Sequence, residues 1–358
     1  MGMSAYTIGV LAGDGIGPEI TSAAMTVLKA AEKRSGYELF DWLELPVGKA
    51  AIERYGQPLP QMTKDALRGC SGWLMGPHDS ASYPPVYKAE RNPSGELRRS
   101  FDLYANIRPS RSLAGVNGLT KEADLVIFRE NTEGFYSDRN MFAGAGEWQV
   151  TPDIVLSAGV FTRRAAERIA DAAFRAARKR RKRVSIVHKA NVIKLGFGLF
   201  LETCYEVSKQ YPDVAVDDFH IDAAAAHLVR HAHRFDVILT TNMFGDILSD
   251  LTGELVGGIG LAPGLNAGDE WAMAQAAHGS APDIAGTGAA NPTGLILSAT
   301  MLLDWLGERH SDRRAEKLGR VIDKAVFSAL AGETRTPDLG GNASTAQFAE
   351  AIIAKLPV

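Results

Sequence analysis

The chain has 358 residues, a formal net charge of −3 and 46% hydrophobic residues. These values describe a folded chain long enough for two domains, and they argue against wholesale disorder and against a general affinity for nucleic acid. Two cysteines, Cys70 and Cys204, are too few for a disulfide framework or a cysteine-rich zinc site. No apolar run approaches the length that crosses a bilayer, and the N-terminus lacks a signal-peptide pattern. We therefore expect a cytoplasmic protein that binds neither nucleic acid nor membrane.

Short apolar runs rich in β-branched residues alternate with longer amphipathic segments. The runs predicted as strands are Tyr6–Ala12, Gly72–Met75, Leu125–Phe128, Val184–Val187 and Val237–Thr241. The segments predicted as helices are Pro18–Ser35, Arg163–Arg178, Gly198–Lys209 and Pro292–Leu306. Continuous apolar strands between amphipathic helices indicate an α/β fold with helices on both faces of its sheets.

The first predicted strand leads into a glycine-rich loop, AGDGIGPE over 12–19. Glycine tolerates positive φ and allows close backbone approach, and Pro18 is acceptable in a first helical turn. The dinucleotide-binding pattern Gly-x-Gly-x-x-Gly would need glycine where Pro18 stands. The loop is therefore no ordinary Rossmann signal. Two interpretations stay open: a tight strand-to-helix turn, or a loop that faces a cofactor.

Acidic residues cluster after the last predicted strand, in TTNMFGDILSDL over 240–251. We expect the strand to end in a polar turn and a helix to open with Asp246, so that Asp246 and Asp250 project from one helical face. Their like charges repel unless a cation lies between them, and carboxylate oxygens suit Mg²⁺ or Mn²⁺. Acids in a first helical turn are also explained by the helix dipole alone. Asp222, at the end of another strand, could complete a metal site.

Five further side chains could act on a small anion. Lys189 follows a buried strand, where an unpaired charge is costly, and so it is a candidate base; an ordinary lysine that reaches solvent is the alternative. Tyr136, in FRENTEGFY, is a candidate acid. Arg98, Arg108 and Arg129 carry guanidinium groups that match carboxylates in geometry, although surface arginines are often only solvated.

Two other segments have simpler explanations. Arg178–Arg183 reads RKRRKR, which could bind phosphate or nucleic acid. Without interleaved aromatic residues it is better explained as the solvated C-terminal end of a helix, where cations complement the dipole. His231 and His233 lack a third metal ligand within reach, and we interpret them as solvated.

Seven segments in order closely resemble the β-decarboxylating dehydrogenases, the isocitrate, isopropylmalate and homoisocitrate dehydrogenase family. They are GDGIGPE (13–19), LRRSFDLYANIRP (97–109), FRENTEGFY (128–136), HKANV (188–192), TTNMFGDILSD (240–250), HGSAPDIAGTGAANP (278–292) and RTPDLGG (335–341). The resemblance implies an α/β, isopropylmalate-dehydrogenase-like two-domain fold, not an ordinary Rossmann fold. A large cofactor-binding domain would comprise 1–98 and 255–358. A small central domain, 99–254, would carry the dimer interface and the catalytic and metal residues.

The resemblance also implies a role for each matching residue. Tyr136 and Lys189 match the catalytic acid and base. The substrate-binding residues would be Ser94, Arg98, Arg108 and Arg129. The cofactor-binding residues would be Asn191, His278, Gly279, Asp283 and Asn291. The metal ligands would be Asp222, Asp246 and Asp250. In this family a homodimer shares its active sites, and the lysine and the first metal aspartate come from the partner chain.

The implied reaction is oxidative decarboxylation of a 3-substituted D-malate with NAD and Mg²⁺ or Mn²⁺. Lys189 would take the C2 hydroxyl proton as hydride leaves for the nicotinamide, and Tyr136 would protonate the carbon that loses CO₂. NADP-using members have lysine and tyrosine where this chain has Asp283 and Ile284. A carboxylate accepts hydrogen bonds from a free ribose diol and repels a 2′-phosphate, which favours NAD.

The C3 substituent of the substrate is less constrained. Isopropylmalate enzymes tend to have leucines before Arg98, whereas this chain has Ser94 and Gly95. An isocitrate- or homoisocitrate-type substrate is therefore favoured, and 3-isopropylmalate, D-malate and tartrate are the alternatives. Glu96 would repel a substrate carboxylate unless it points away. Gln275 stands where the family often has glutamate, which could loosen the cofactor loop.

A regulatory, non-catalytic paralogue is the alternative outside the enzymes, because some members of the family bind ligands without turnover. It predicts the loss of catalytic or metal-binding residues. All five of them are present: Tyr136, Lys189, Asp222, Asp246 and Asp250. An active enzyme is therefore favoured. The pathway, the choice between Mg²⁺ and Mn²⁺ and any assembly above the dimer stay open.

Overall fold

The structure is a computed structural model that describes residues 5–87, 90–136, 141 and 144–357. All five predicted strands are present in it. The described strands are β1 (Tyr6–Leu11), β2 (Phe40–Glu44), β3 (Gly72–Met75), β4 (Ala105–Arg111), β5 (Asp124–Glu130), β6 (Glu147–Thr151), β7 (Ile154–Ser157), β8 (Arg183–His188), β9 (Ala215–His220), β10 (Val237–Thr240), β11 (Leu265–Ala267) and β12 (Ala272–Ala274).

The four predicted helices are also present, with ends that shift by a few residues at most. The described α-helices are α1 (Gly17–Ser35), α2 (Gly48–Tyr55), α3 (Gln61–Leu67), α4 (Pro93–Ser100), α5 (Arg163–Arg178), α6 (Gly196–Ser208), α7 (Ile221–His231), α8 (Asn242–Val256), α9 (Thr293–His310), α10 (Arg313–Leu330) and α11 (Thr345–Ala354). Pro18 lies at the start of α1, where proline is tolerated. Among the described residues, no helix has the length and apolar character needed to cross a membrane.

The prediction that a helix opens with Asp246 is wrong. Strand β10 ends at Thr240, Thr241 is an extended N-cap residue, and α8 begins at Asn242. The polar residues that indicated a turn instead serve a buried interaction, because Asn242 is fully buried and accepts hydrogen bonds from Arg129. Asp246 therefore lies beyond the first turn of α8, and the helix dipole does not explain it.

Ten strands form one mixed sheet in the order β2-β1-β3-β12-β11-β4-β5-β10-β8-β9. Strand β11 is antiparallel to both of its neighbours, β4 is antiparallel to β5, and the other neighbours are parallel. Strands β6 and β7 form a separate antiparallel pair. The antiparallel strands at the centre distinguish this sheet from that of an ordinary Rossmann fold, as predicted.

Buried apolar side chains form separate clusters in two parts of the chain. Two clusters draw their buried members from residues 6–103 and 261–356. Two others draw theirs from residues 104–256. Within the latter, α5 packs against one face of the sheet through Val126 and Phe128, and α8 packs against the opposite face through Leu125 and Ile127. The predicted covering of both faces by helices is confirmed.

The basic run at the end of α5 is paired with carboxylates. Arg178 and Lys182 bind Asp213, Lys179 binds Glu308, Arg180 binds Asp124 and Asp236, and Arg183 binds Asp217. Most of its charge is therefore neutralised within the chain. The run begins at the last residue of α5, Arg178, continues through the turn 179–182 and ends at the first residue of β8, Arg183. The simpler explanation holds for its start at a helix end, although its side chains are paired rather than merely solvated.

Candidate active site

Two arginines, Arg108 on β4 and Arg129 on β5, lie buried on the same face of the sheet. Their strands pair so that Asn106 lies opposite Arg129 and Arg108 lies opposite Ile127. The exposed fractions are 7% for Arg108 and 1% for Arg129. Arg129 donates two hydrogen bonds to Asn242 Oδ1, from Nε at 3.0 Å and from Nη2 at 2.7 Å. Burying a guanidinium is costly without such acceptors, so the fold supplies them here.

Asp246, on α8, joins these groups. Its carboxylate accepts hydrogen bonds from Arg108 Nη1 at 3.1 Å, from Arg129, and from Tyr136 Oη at 2.6 Å. Burial by itself would raise the pKa of Asp246, but the charges of Arg129 and Arg108 outweigh burial and hold that pKa at about 2. Asp246 is therefore ionised at neutral pH, with a phenol and two guanidinium groups around it.

Asp250 lies one helical turn beyond Asp246 on α8. One of its oxygens is 3.7 Å from Arg108 Nη1, and its side chain is 52% exposed. Burial raises the pKa of Asp250, and Arg108 opposes that rise. Both carboxylates therefore approach Arg108, which confirms that they share one face of the helix.

Ser94 and Arg98, on α4, share one acceptor. Ser94 Oγ donates to Gln275 Oε1 at 2.8 Å, and Arg98 Nη2 donates to the same oxygen at 3.2 Å. All three residues are buried. The charge of Arg98 also helps to keep the pKa of Asp246 low. Gln275 thus anchors the start of the segment that leads to His278, and this departure from the family pattern does not leave that start loose.

Glu96 is neutralised by neighbouring cations. Its carboxylate lies 3.4 Å from Lys64 Nζ and 3.4 Å from Arg91 Nη1. It also accepts a hydrogen bond from Ser100 Oγ at 2.9 Å. The repulsion that the sequence suggested between Glu96 and an anionic substrate is therefore offset locally.

Lys189 and Asp222 form a pair of their own. Lys189 Nζ lies 2.5 Å from Asp222 Oδ1, and the two side chains are 25% and 70% exposed. Asp222 lies in the first turn of α7, just after β9, and Asn191 follows Lys189 in an exposed loop. Within the part of the chain that the structure describes, no three histidine, cysteine or acidic residues form a possible metal site. A single chain therefore does not bring Asp222 to Asp246 and Asp250.

The glycine-rich loop packs against the segment that holds most of the predicted cofactor residues. Ile16 N donates to the carbonyl oxygen of Ser280 at 2.9 Å. A Cβ on Gly15, whose φ is +58°, would lie 2.0 Å from that oxygen. The loop is thus a tight turn, and its glycine allows contact with the backbone next to His278 and Gly279.

His278 and Asn291 both lie near Asp338. Asn291 Nδ2 donates to Asp338 at 3.0 Å. Burial lowers the pKa of His278, which Asp338 opposes. His278 Nε2 is buried and has no hydrogen-bond partner among the described residues. Gly279 and Asp283, further along this segment, are exposed.

These residues fit the groups that the sequence implied. Asp246 and Asp250 offer carboxylate oxygens on one helical face, the donors that Mg²⁺ or Mn²⁺ prefers. The unpartnered Nε2 of His278 could bind a cofactor, since buried polar atoms are rarely left without a partner. The exposed carboxylate of Asp283 could accept hydrogen bonds from a ribose diol.

Sequence reasoning missed three side chains that hold the arginines. Asn106 Oδ1 accepts from Arg108 Nε at 3.1 Å, Ser249 Oγ accepts from Arg108 Nη1 at 2.6 Å, and Asn242 binds Arg129. Asn106 lies two residues before Arg108 on a strand, and so it shares its face. Asn242 and Ser249 lie four before and three after Asp246, positions that share one face of a helix. These spacings could have identified all three.

Comparison with known proteins agrees with this geometry. Residues 7–352 match the isocitrate/isopropylmalate dehydrogenase family. The isocitrate/homoisocitrate dehydrogenase of Thermus thermophilus is 45% identical over 355 residues, which cover 98% of this chain and 99% of that protein. The 3-isopropylmalate dehydrogenase of Archaeoglobus fulgidus is 40% identical over 348 residues, covering 97% and 98%. The crystal structure of isocitrate dehydrogenase from Methylococcus capsulatus has a TM-score of 0.87 at 40% identity, covering 98% of this chain and 99% of that one.

The fold and these relatives define an oxidative decarboxylase that acts on a CH–OH group. The chain belongs to the isocitrate/isopropylmalate dehydrogenase family. The α/β, isopropylmalate-dehydrogenase-like fold is confirmed. Members of this family bind small hydroxy acids and generally depend on NAD or NADP and on Mg²⁺ or Mn²⁺.

Two glutamates in the motif that contains Tyr136, the buried Glu130 and the partly buried Glu133, lie close enough for their charges to interact. Glu130 is 3% exposed and accepts hydrogen bonds from the backbone N–H groups of Thr132 and Glu133. Burial, and secondly the charge of Glu130, raise the pKa of Glu133 to about 7. The Glu133 carboxylate also binds the N–H and hydroxyl of Thr162, the N-cap residue of α5, at 2.7 and 2.8 Å.

We expect Glu133→Gln to flatten the pH dependence of the unfolding free energy between pH 4.5, the ordinary pKa of a glutamate, and pH 7. The folded wild type binds the Glu133 proton more tightly than the unfolded chain does, so its stability falls as pH rises through this window. An amide cannot titrate, and it should recover about 1–2 kcal/mol at pH 8 relative to pH 4.5. Guanidinium unfolding at fixed protein concentration measures this difference. Glu167→Gln, on the exposed side of α5, is the control. Parallel pH curves for Glu133→Gln and wild type would contradict the prediction.

Proposed function

We propose that the chain is an NAD-dependent, divalent-metal-dependent enzyme that oxidatively decarboxylates a 3-substituted D-malate of the isocitrate or homoisocitrate type. The observation that carries this proposal is the cluster that two buried arginines, Arg108 and Arg129, form with the partly exposed Asp246 and Tyr136. It combines cations for substrate carboxylates, a carboxylate for a metal and a phenol that can donate a proton. Arg98, which also acts on Asp246, adds a third cation.

The proposed roles follow from the chemistry of each side chain. The arginines bind the malate carboxylates. Lys189 of the partner subunit takes the proton of the C2 hydroxyl, and Tyr136 protonates the carbon from which CO₂ has left. Mg²⁺ or Mn²⁺ would be held by Asp246 and Asp250 of one chain together with Asp222 of the partner subunit. When bound, the metal would supply the positive charge that makes the C2 hydroxyl more acidic, and NAD would supply the acceptor for the hydride.

The polar surroundings of Ser94 support a polar C3 substituent. Ser94 and its partner Gln275 are both buried. The segment before Arg98, residues 91–97, contains a single leucine, Leu97. The relative named isocitrate/homoisocitrate dehydrogenase is 45% identical, against 40% for a 3-isopropylmalate dehydrogenase. Ser94 and Gln275 place polar atoms beside Arg98, and such surroundings suit a polar substituent better than an isopropyl group.

A substrate panel tests the proposal. The panel consists of isocitrate, homoisocitrate, 3-isopropylmalate, D-malate and tartrate, each assayed with NAD and with Mg²⁺ or Mn²⁺. We expect NADH formation, with the highest kcat/KM for isocitrate or homoisocitrate. Chelation with EDTA should abolish turnover, and added metal should restore it. A preference for 3-isopropylmalate would overturn the substrate assignment. No turnover of any acid would favour the non-catalytic paralogue.

Exposed apolar surface supports the homodimer. The isolated pair β6–β7 exposes apolar side chains at Trp148, Val150 and Val155, which are 51%, 56% and 58% exposed. A two-stranded sheet is marginally stable alone, and clustered exposed apolar residues indicate a contact surface. Leu195, 90% exposed, follows Lys189 in the same loop. A partner that covers this loop would bring Lys189 and Asp222 to the other chain's arginines.

Mixing two inactive variants tests the shared site. Lys189→Ala and Tyr136→Phe should each lower kcat by orders of magnitude with little change in thermal stability, because each removes a proton-transfer group. If each site combines the two residues from different chains, co-expressed subunits with different tags should form hybrids that carry one intact site. Random pairing then recovers about one quarter of wild-type activity. Near-normal kcat in either single variant would contradict the roles, and an inactive hybrid would place both residues in one chain's site.

We also propose that the large domain comprises 1–98 and 255–358 and the small domain 99–254. The separation of the buried apolar clusters supports this division, since their members come from 6–103 with 261–356 or from 104–256. The cytoplasmic location stays a prediction from the sequence.

The choice of NAD over NADP is supported by the exposed carboxylate of Asp283. Ile284, the next residue, packs against the core cluster of the chain ends and offers no hydroxyl or charge. A 2′-phosphate would therefore meet a negative charge without a compensating donor from this pair.

Replacing that pair should reverse the cofactor preference. In Asp283→Lys combined with Ile284→Tyr, a cation and a hydroxyl become available to a 2′-phosphate, and we expect the ratio of kcat/KM for NAD over NADP to fall by roughly a hundredfold. The measurement is steady-state kinetics with each cofactor at saturating substrate. Glu333→Lys changes the same charge on an exposed residue and should leave the ratio unchanged. A preference of the wild-type enzyme for NADP would contradict the assignment of NAD as its cofactor.

A further inference from the structure

Side chains of β4 and β5 alternate between the two faces of the sheet. Arg108 and Arg129 face α8 and the candidate active site, whereas Ile107 and Phe128 face the opposite way. On that opposite face, between α5 and α9, lies a cavity of about 510 Å³. None of the predicted site residues lines it. Its volume falls within the range of roughly 300–1,000 Å³ that is typical of small-molecule sites.

The floor of this rear cavity is apolar. Ile107 and Phe128 contribute from the sheet, Ala176 from α5, and Met301 and Trp305 from α9. A flat apolar group placed here would remove these surfaces from water. Ala176 packs with the cluster of residues 104–256, and Trp305 packs with the cluster of the chain ends. A ligand would therefore contact both parts of the fold.

Most charges at the rim of the rear cavity are already paired. Lys179 binds Glu308 at 2.8 Å across the rim, from the end of α5 to α9. Arg180 binds the buried Asp236 at 2.7 Å. Asp269 accepts a hydrogen bond from Tyr104 Oη at 3.1 Å. The two ion pairs add little net charge to the rim, whereas Asp269 keeps its negative charge because the Tyr104 hydroxyl is neutral.

Two arginines at the rim remain available to an anion. The Arg309 guanidinium lies 5.4 Å from the ring centroid of Trp305, and no carboxylate is paired with it in the ranges that the structure describes. Arg175 binds Asp171 at 2.9 Å, but these side chains are 59% and 42% exposed. Exposed pairs of this kind are weak, so Arg175 can turn toward a ligand at little cost.

We propose that the rear cavity is a second ligand site, distinct from the arginine cluster, for a small organic anion with a flat apolar body, such as an aromatic carboxylate or sulfonate. The body lies against Phe128, Met301 and Trp305. The anionic group lies at the rim between Arg175 and Arg309. Cations of this kind over an aromatic floor match both parts of such a molecule.

Titration of the intact protein with 8-anilinonaphthalene-1-sulfonate, followed by its fluorescence, tests the site. We expect saturable binding of one probe per chain. Arg309→Glu, an exposed rim substitution, should weaken binding roughly tenfold because it replaces attraction by repulsion. Ala176→Phe should weaken it as well, because the ring fills the floor. Arg313→Glu makes the same charge change on the exposed surface at the start of α10 and should leave the affinity unchanged.

Three results would overturn the proposal: no saturable binding to wild type, unchanged affinity in Arg309→Glu, or an equal loss in Arg313→Glu, which would indicate unspecific electrostatic attraction. Thermal unfolding of each variant checks that it is folded. If Ala176→Phe does not fold, the comparison of Arg309→Glu with Arg313→Glu still decides. Because the probe needs no turnover, the outcome is independent of the proposed reaction.

Discussion

The candidate site depends on one buried cation, the guanidinium of Arg129. Asn242 and Asp246 accept its hydrogen bonds, and both lie on the first two turns of α8. Gly245 lies between them in the sequence, and its lack of a side chain leaves space for Arg129, because a Cβ there would lie 2.5 Å from Arg129 Cβ. One stretch of helix therefore supplies both the acceptors and the space. Without an acceptor the charge would be buried and unpaired, which typically costs about 3–5 kcal/mol.

The alternation of side chains along β4 and β5 organises the rest of the centre of the molecule. On one face, polar residues from these strands meet α8 and build the arginine–carboxylate cluster. On the other face, apolar residues of the same strands pack with α5 or line the rear cavity. The same two strands thus serve a charged site and an apolar one, because a strand turns successive side chains to opposite sides.

Much of the fold and of the site could be predicted because the signals are local. Apolar runs and helical spacing identified five strands and four helices, and ordered motifs identified the residues of the cluster. The predicted start of α8 was wrong because Asn242 was interpreted as a turn residue. Its side chain instead binds Arg129 on β5, 113 positions away in sequence. Gln275 could not be judged either, since its partner Ser94 is distant in the chain. Glu96 has one distant partner, Lys64, and two local ones, Arg91 and Ser100, whose contacts with it depend on how α4 and the preceding segment fold.

The sequence by itself determined the family, the α/β class and the chemical types available to the site, because motif residues and periodicity survive without coordinates. Only the tertiary structure decided which of these groups meet. It brought Arg129 to Asp246, 117 positions apart, and it left Lys189 paired with Asp222 outside that cluster. The physical reason is that strand order and pairing set such long-range contacts, and neither is encoded in the spacing of residues within a single segment.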